Sequence, residues 1–148
     1  MECGGATNVD MTFRATGDIN TRRFVTGDAT LTAGFGVKQA VAAAVTQVVI
    51  GISQDFDKST PGLTGSTAGL AAASGDQILV KGWGSRAMLQ LGTGGCAAWD
   101  GLNPDVNGKG VVASTNAGVV YNALALEPGI ADDFVRVLVL PPNQKTVI

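Results

Sequence analysis

The chain has no histidine, two cysteines, 15% charged residues and 5% aromatic ones in 148 positions. Without histidine, the commonest general base and the commonest zinc ligand are both missing. A serine nucleophile would then need a lysine to activate it, and no lysine here sits in a recognisable serine motif. Cys3 and Cys96 stand far apart, form no metal-type pair and read as two reduced thiols, with a disulfide that ties down the N-terminus as the alternative. Ten Lys and Arg against twelve Asp and Glu leave a net charge of −2. An electrostatic nucleic-acid binder needs a basic face, so nucleic acid is not an expected partner. The longest charge-free apolar run, residues 39–54, is broken by Thr46 and Gln47 and is too short to cross a bilayer. No membrane partner is expected, and the opening MECGG shows no secretory signal. The chain therefore reads as one made in a cytoplasm and not exported by an ordinary route.

What is present is glycine, 21 residues of it, and a 45% hydrophobic fraction. Mean hydropathy is +0.25. Little charge and much Gly, Thr, Ala and Val favour short strands and turns over helices. The length suits one domain with a real core. The apolar surplus points either to a large core or to surface covered by neighbouring subunits.

Residues 121–142, YNALALEPGIADDFVRVLVLPP, carry the strongest pattern. Side chains of a strand alternate with period two. Val135, Val137 and Val139 therefore share one face, with Phe134, Arg136, Leu138 and Leu140 on the other. Only Arg136 is polar, which predicts a central strand covered on both sides, the second face by the domain or by a neighbouring subunit. Pro141 and Pro142 end it. Other strands are predicted over 23–26, 29–32, 77–81, 87–91, 111–114 and 119–126. The run 39–52 reads as one or two strands, with a short helix as the minority reading. Asn107-Gly108 is a two-residue hairpin signal. The uncharged stretch 59–74 predicts a loop with one helical turn at 69–73.

The expected architecture is all-β: a compact sandwich or barrel of short strands with Gly/Asp-rich turns. An extended N-terminal arm occupies residues 1–16 and a single β domain residues 17–148. In the arm, Val9, Met11 and Phe13 alternate with Asp10, Thr12 and Arg14, the pattern of a lone strand lying on another surface. Val9, Met11, Phe13 and Arg14, with the adjacent basic pair Arg22 and Arg23, are the candidate contacts to a further subunit or a partner surface. An internal echo is also present. Residues 76–80 (DQILV) lie on 133–137 (DFVRV), and 29–36 on 87–94 with the skeleton A-x-L-x-x-G-x-G. It predicts two related β units at about 27–82 and 85–142 that share one core.

No motif carries catalysis. The glycines at 34–36 and 92–95 complete no dinucleotide fingerprint, and Gly108-Lys109-Gly110 is no phosphate loop. Asp100, Asn103, Asp105 and Asn107 lack the spacing of a calcium loop and read as turn residues. The acid pairs Asp55/Asp57 and Asp132/Asp133 sit at strand-edge turns, where Asp is ordinary. No enzyme activity, cofactor or metal is expected.

The short strands, the Ala-Gly and Gly-Asp turns and the closing ALALEPGIADDFVRVLVLPP resemble the small capsid decoration, or cement, proteins of tailed bacteriophages. Their repeated phrase has its counterparts in VVIGISQD leading through AAASGDQILVKG and in NALALEPGIADDFVRVLVLP. The likeness spans about residues 27–142, and the 59–74 insertion and the arm depart from it. It implies an all-β fold and subunits that cluster, often as trimers, on the outside of a phage head. There they would bind the major capsid protein and stabilise the shell without catalysis. The alternative is a β-sandwich adhesion or carbohydrate-binding module on a virion or cell surface, with Trp83 and Trp99 as sugar platforms. Burial in the core is the plainer expectation for both tryptophans.

Overall fold

A computed structural model describes residues 10–30, 35–41, 48–53, 70–113 and 120–141. Among them there is no helix, and the strands follow in order: β1 (Asp10–Ala15), β2 (Ile19–Asn20), β3 (Phe24–Gly27), β4 (Gly36–Gln39), β5 (Val49–Ser53), β6 (Leu70–Ala72), β7 (Gln77–Lys81), β8 (Arg86–Gln90), β9 (Gly101–Pro104), β10 (Gly110–Val112), β11 (Ala123–Ala125) and β12 (Phe134–Val139). The protein is all-β. Strands β1-β4-β3-β5-β7 close into a barrel, β10-β9-β11-β12-β8 form a second sheet, and β2 pairs with β6.

Alternation decides which way each strand faces. In β12, Val135, Val137 and Val139 are buried while Phe134 and Arg136 are exposed. The strand is central, between β11 and β8. Cover on both faces, which the sequence predicts from the domain or a neighbouring subunit, is only partial within this chain: on the second face Phe134 and Arg136 are exposed and Leu138 and Leu140 half-buried. The arm expected over residues 1–16 also resolves differently where it is described. Asp10–Ala15 pairs antiparallel with β7 from Asp10 to Arg14 and parallel with β4 at Arg14 and Ala15. Of its side chains, Ala15 is buried in this chain's own barrel core and Phe13 packs against that core. The helical turn expected at 69–73 is instead strand β6, whose backbone groups are taken by β2.

The two main sheets are built to one plan. Laid side by side, β4-β3-β5-β7-β1 and β10-β9-β11-β12-β8 have the same strand order, and each list keeps the same order in sequence. The registers agree as well. Ser53 pairs with Val80 and Ile52 with Lys81, as Ala125 pairs with Val137 and Leu124 with Leu138. Thr16 N–H donates to Val37 O at 2.8 Å and Ala15 N–H to Asp76 O at 2.8 Å. At the matching places Gly92 N–H donates to Gly110 O at 2.7 Å and Leu91 N–H to Asp133 O at 2.8 Å. A parallel bridge, Leu91 to Gly110, stands where β1 meets β4. In this register β7 matches β12, in line with 76–80 lying on 133–137. The overlay of 29–36 on 87–94 has no counterpart, because β8 matches β1; residues 31–34 lie outside the described ones.

Two cores follow. Ala15, Val25, Val37, Ile78 and Val80 fill the first barrel, joined by Ile19, Ala71 and Ala72 of the small β2–β6 sheet. The second core gathers Leu89, Leu91, Leu102, Ala123, Ala125 and the three β12 valines, together with Phe24, Ala40, Val49 and Ile52 from the first half. Neighbours on β3 thus face opposite cores, Val25 its own barrel and Phe24 the other one. Burying a phenylalanine fully contributes about 1.5–3 kcal/mol, so this side chain is a principal tie between the halves.

The Asn107-Gly108 hairpin connects β9 to β10 as expected, but its loop is longer than two residues. Asp105 N–H donates to Lys109 O at 2.8 Å. The Asp105 carboxylate takes the N–H groups of Asn107 (2.7 Å) and Lys109 (2.9 Å), holding the chain in a wider turn.

Candidate functional site

The two halves meet along an opened seam. In the first barrel, Arg14 N–H donates to Phe35 O at 2.9 Å, drawing β1 towards the residue before β4. The equivalent residues of the second half are Gln90 and Gly108. They do not bond to each other: Gln90 N–H donates to Arg22 O (3.0 Å), and Gly108 O accepts from Phe24 N–H (2.9 Å). Residues 22–24 therefore enter the second seam as an inserted piece of strand. Arg22 supports the entry with a left-handed backbone, φ 56°. A Cβ at Gly108 would lie 3.0 Å from Gln39 Cγ and 3.1 Å from Ala40 O, so the halves touch closely here.

Above the inserted piece lies a cleft of about 260 Å³, with Arg22, Ser53, Lys81, Arg86, Met88 and Arg136 in its walls. The Arg22 guanidinium stacks over the Phe134 ring, 4.2 Å from its centroid, an attraction of the ring quadrupole for a cation. Arg136 Nη2 and Nε donate to Glu127 Oε2 at 2.9 and 3.2 Å, and its backbone N–H donates to Oε1 at 2.8 Å. These bonds hold the Glu127 carboxyl below its usual range and raise the Arg136 guanidinium further. Ser53 is buried and committed to structure, donating to Asn20 O at 2.6 Å and accepting the Arg23 N–H at 3.0 Å.

The residues singled out from the sequence scatter. Val9 lies outside the described residues. Met11 is placed opposite Val80 in the β1–β7 ladder. Phe13 is half-buried, its ring edge-on to Phe35 at 6.3 Å and 81°. Arg14 is exposed and its Nε donates to Gly75 O at 3.2 Å. Of the five that are described, only Arg22 lines the cleft. Arg23 turns the other way and its Nη1 donates to Gln90 Oε1. Burial lowers the pKa of Arg23, opposed by Asp105 and Asp132. Lys81, Arg86, Met88 and Arg136 were not singled out as site residues. Lys81 and Arg86 bracket the Gly82-Trp83-Gly84 turn, and that pair of cations on either side of a short turn is the signal that could have found them.

Both tryptophans are surface residues, Trp83 54% and Trp99 68% exposed, which corrects the core reading. Each stands in a tight turn, with φ 72° at Trp99. The oxygen-rich run is occupied locally. Asp100 takes the Ala97 N–H at 2.8 Å, Asn103 pairs with Asn122 at 2.8 Å, and Asp105 holds its hairpin. Cys96 is a free thiol whose pKa is pushed up, first by burial and then by Asp100.

No family model matches the chain, and no curated protein does. Among solved structures, the crystal structure of the head fiber gp8.5 N base of bacteriophage phi29 matches with a TM-score of 0.58 at 13% identity. The match covers 93% of this chain and 98% of that one, so what the two share from end to end is a fold.

Proposed function

We propose that this protein is a structural component of a phage head, sitting on the outer capsid surface as a decoration protein and acting without catalysis. The observation that carries the reading is the fold match over nearly the whole of both chains to the base of a phage head fiber. The cement-protein phrases in the sequence point the same way. The partners are the major capsid protein and further copies of this chain, a homotrimer being the preferred state. Contact surface is available in Phe35, Trp99, Ile130 and Phe134, all large apolar side chains left exposed. Val9, Met11, Phe13 and Arg14 would add to that contact only with the surface β1 leaves uncovered, Arg14 being exposed and Phe13 half-buried.

Mass spectrometry and density maps of purified virions test the placement, and sedimentation of the free protein tests the trimer. A chain absent from purified heads would overturn the reading. Heads lacking the protein should also lose resistance to heat. Unchanged resistance, with the protein present on heads, would make it a fiber base and no cement. The exposure of Trp83 and Trp99 favours one second reading, a carbohydrate-binding module. Glycan-array binding that is lost on Trp→Ala substitution would replace the first reading with it.

A further inference from the structure

We propose that Asn107 is a modification site: it deamidates spontaneously to aspartate and isoaspartate, and the isoaspartate form loosens the seam between the two halves. Asn107-Gly108 is the one Asn-Gly pair in the sequence. The reaction brings the backbone nitrogen of the next residue onto the side-chain carbonyl carbon, and a Cβ on that next residue hinders the approach. Glycine has none. Asn107 is exposed in the hairpin loop between β9 and β10, and loop tips open locally at little cost. The other described asparagines differ. Asn103 and Asn122 are buried, Asn122 Nδ2 donating to Asn103 Oδ1 at 2.8 Å. Asn103 is also followed by Pro104, which has no N–H to lose. Asn20 Nδ2 donates to Gln39 Oε1 at 3.1 Å, and Thr21 follows it.

The step balances with water as the only co-reactant. Hydroxide takes the Gly108 N–H proton, and the nitrogen attacks Asn107 Cγ. A C–N bond forms, the Cγ–Nδ2 bond breaks, and ammonia leaves with a proton from water, closing a five-membered succinimide. Water then opens the ring at either carbonyl. One opening gives aspartate; the other reroutes the chain through Cβ and Cγ and gives isoaspartate. The hairpin sets the pace, because the Gly108 N–H donates to Asp105 O at 3.1 Å and has to leave it first. That bond is the longest of the turn. Asp105 N–H reaches Lys109 O at 2.8 Å, and the Asp105 carboxylate takes the N–H groups of Asn107 and Lys109 at 2.7 and 2.9 Å.

The place of this turn in the fold gives the change its effect. Gly108 O accepts the Phe24 N–H at 2.9 Å, Asn107 O accepts Gln39 Nε2 at 2.9 Å, and a Cβ on Gly108 would meet Ala40 O at 3.1 Å. Isoaspartate lengthens the chain between positions 107 and 108 by one backbone atom and turns the carbonyl that Gln39 holds into a carboxylate. Gly108 cannot then keep all these contacts, and residues 22–24 lose an anchor in the second barrel. The modification is independent of the virion reading, and its test needs the purified chain alone, so the two can fail separately.

The purified protein is aged in warm, mildly alkaline buffer, digested and read by mass spectrometry, with isoaspartate counted by methyltransferase labelling. Position 107 should change from amide to acid about tenfold faster, or more, than Asn20, Asn103 or Asn122. Hydrogen exchange on the isoaspartate-rich fraction should show lost protection at the Phe24 and Gln90 amides, while the β12 amides stay protected. In Asn107→Gln the attack would have to close a less favourable six-membered ring, so the aged variant should keep that protection. Should the variant fold poorly, aged against fresh parent protein carries the same question. Conversion at position 107 no faster than at the buried asparagines would overturn the site. Full protection of Phe24 and Gln90 in converted protein would overturn its effect on the seam.

Discussion

The N–H of Gln90 donates to the carbonyl of Arg22 at 3.0 Å, whereas its counterpart in the first barrel, Arg14, donates to Phe35 at 2.9 Å. One bond has been redirected from within a barrel to between two. Phe24, two residues on, stays paired with Ile52 in its own barrel, and alternation turns its whole side chain into the other core. The halves therefore share a core although each keeps its own strand plan.

Phe24→Ala should be among the most damaging single changes. Truncating a fully buried phenylalanine typically costs about 3–5 kcal/mol, transfer and cavity together. Urea unfolding followed through tryptophan fluorescence should show one transition in the parent protein, moved to much lower urea in the variant. A loss below about 1 kcal/mol would mean that the core closes over the gap and the tie is elsewhere.

Gly51 and Ala123 hold matching places, opposite Val25 and Leu102, yet they should respond in opposite ways. A Cβ on Gly51 would lie 2.1 Å from Lys81 O and 2.7 Å from Val80 Cγ1. Backbone has to move to admit it, and such overpacking costs roughly 1–3 kcal/mol. Ala123 already carries its methyl group, fully buried. Ala123→Gly should lose about 1 kcal/mol through chain entropy and the lost contact. Thermal melts of Gly51→Ala and Ala123→Gly check the contrast, and a Gly51→Ala protein as stable as the parent would refute the close approach.

How much of this was legible in the sequence depends on whether a partner was near in the chain. β7 was read with its observed ends and β12 to within one residue, because an Asp turn precedes each and apolar residues then alternate. Those turns are truly alike: Asp76 takes the Ala73 N–H at 3.1 Å and Asp133 the Ile130 N–H at 3.0 Å. β1 shows the same alternation, but period two states only that a face is buried and not by whom. Its partners Ile78 and Val80 are remote in sequence, and a docked arm reads identically. The cleft was hidden for the same reason. Lys81, Arg86 and Arg136 are single charges on three different strands, and only the fold brings them to Arg22.

Acid should weaken the protein partly through Asp28. The Thr16 hydroxyl donates to its Oδ2 at 2.6 Å and the Thr30 N–H to its Oδ1 at 3.0 Å. These bonds favour the ionised form and pull its pKa from 3.8 to about 2. A carboxyl whose folded pKa lies below the unfolded one contributes stability fully above the unfolded value, and that contribution disappears as pH falls through the folded one. Glu127 and Asp132 are lowered too, by Arg136 and Lys109. Stability should fall from about pH 4 towards pH 2, the span between the ordinary and lowered values of Asp28. Asp28→Asn should flatten that part of the profile. A variant with the parent's acid slope would remove Asp28 from the account.

Trp99 is held in a conformation that its side chain does not favour. Three turns are alike here: Ala73–Asp76, Ala97–Asp100 and Ile130–Asp133 each close on an Asp that takes the N–H of its first residue. Their third positions all have positive φ, at Gly75 (90°), Trp99 (72°) and Asp132 (68°). Glycine suits that region, whereas another L-residue there costs roughly 1–2 kcal/mol. Trp99 is largely exposed, so core packing does not repay that cost, and its N–H bond to Ala125 O (2.7 Å) would survive in glycine. Strain kept at an exposed aromatic residue points to a surface that something contacts. Trp99→Gly should therefore leave stability unchanged or raise it by up to about 1 kcal/mol, relief of strain being partly offset by the freer unfolded chain. The same variant should attach to phage heads less well than the parent. Melting and head-binding assays together decide the matter. A lower melting temperature would show that Trp99 packs structurally, and unaltered attachment would free this turn from the contact surface.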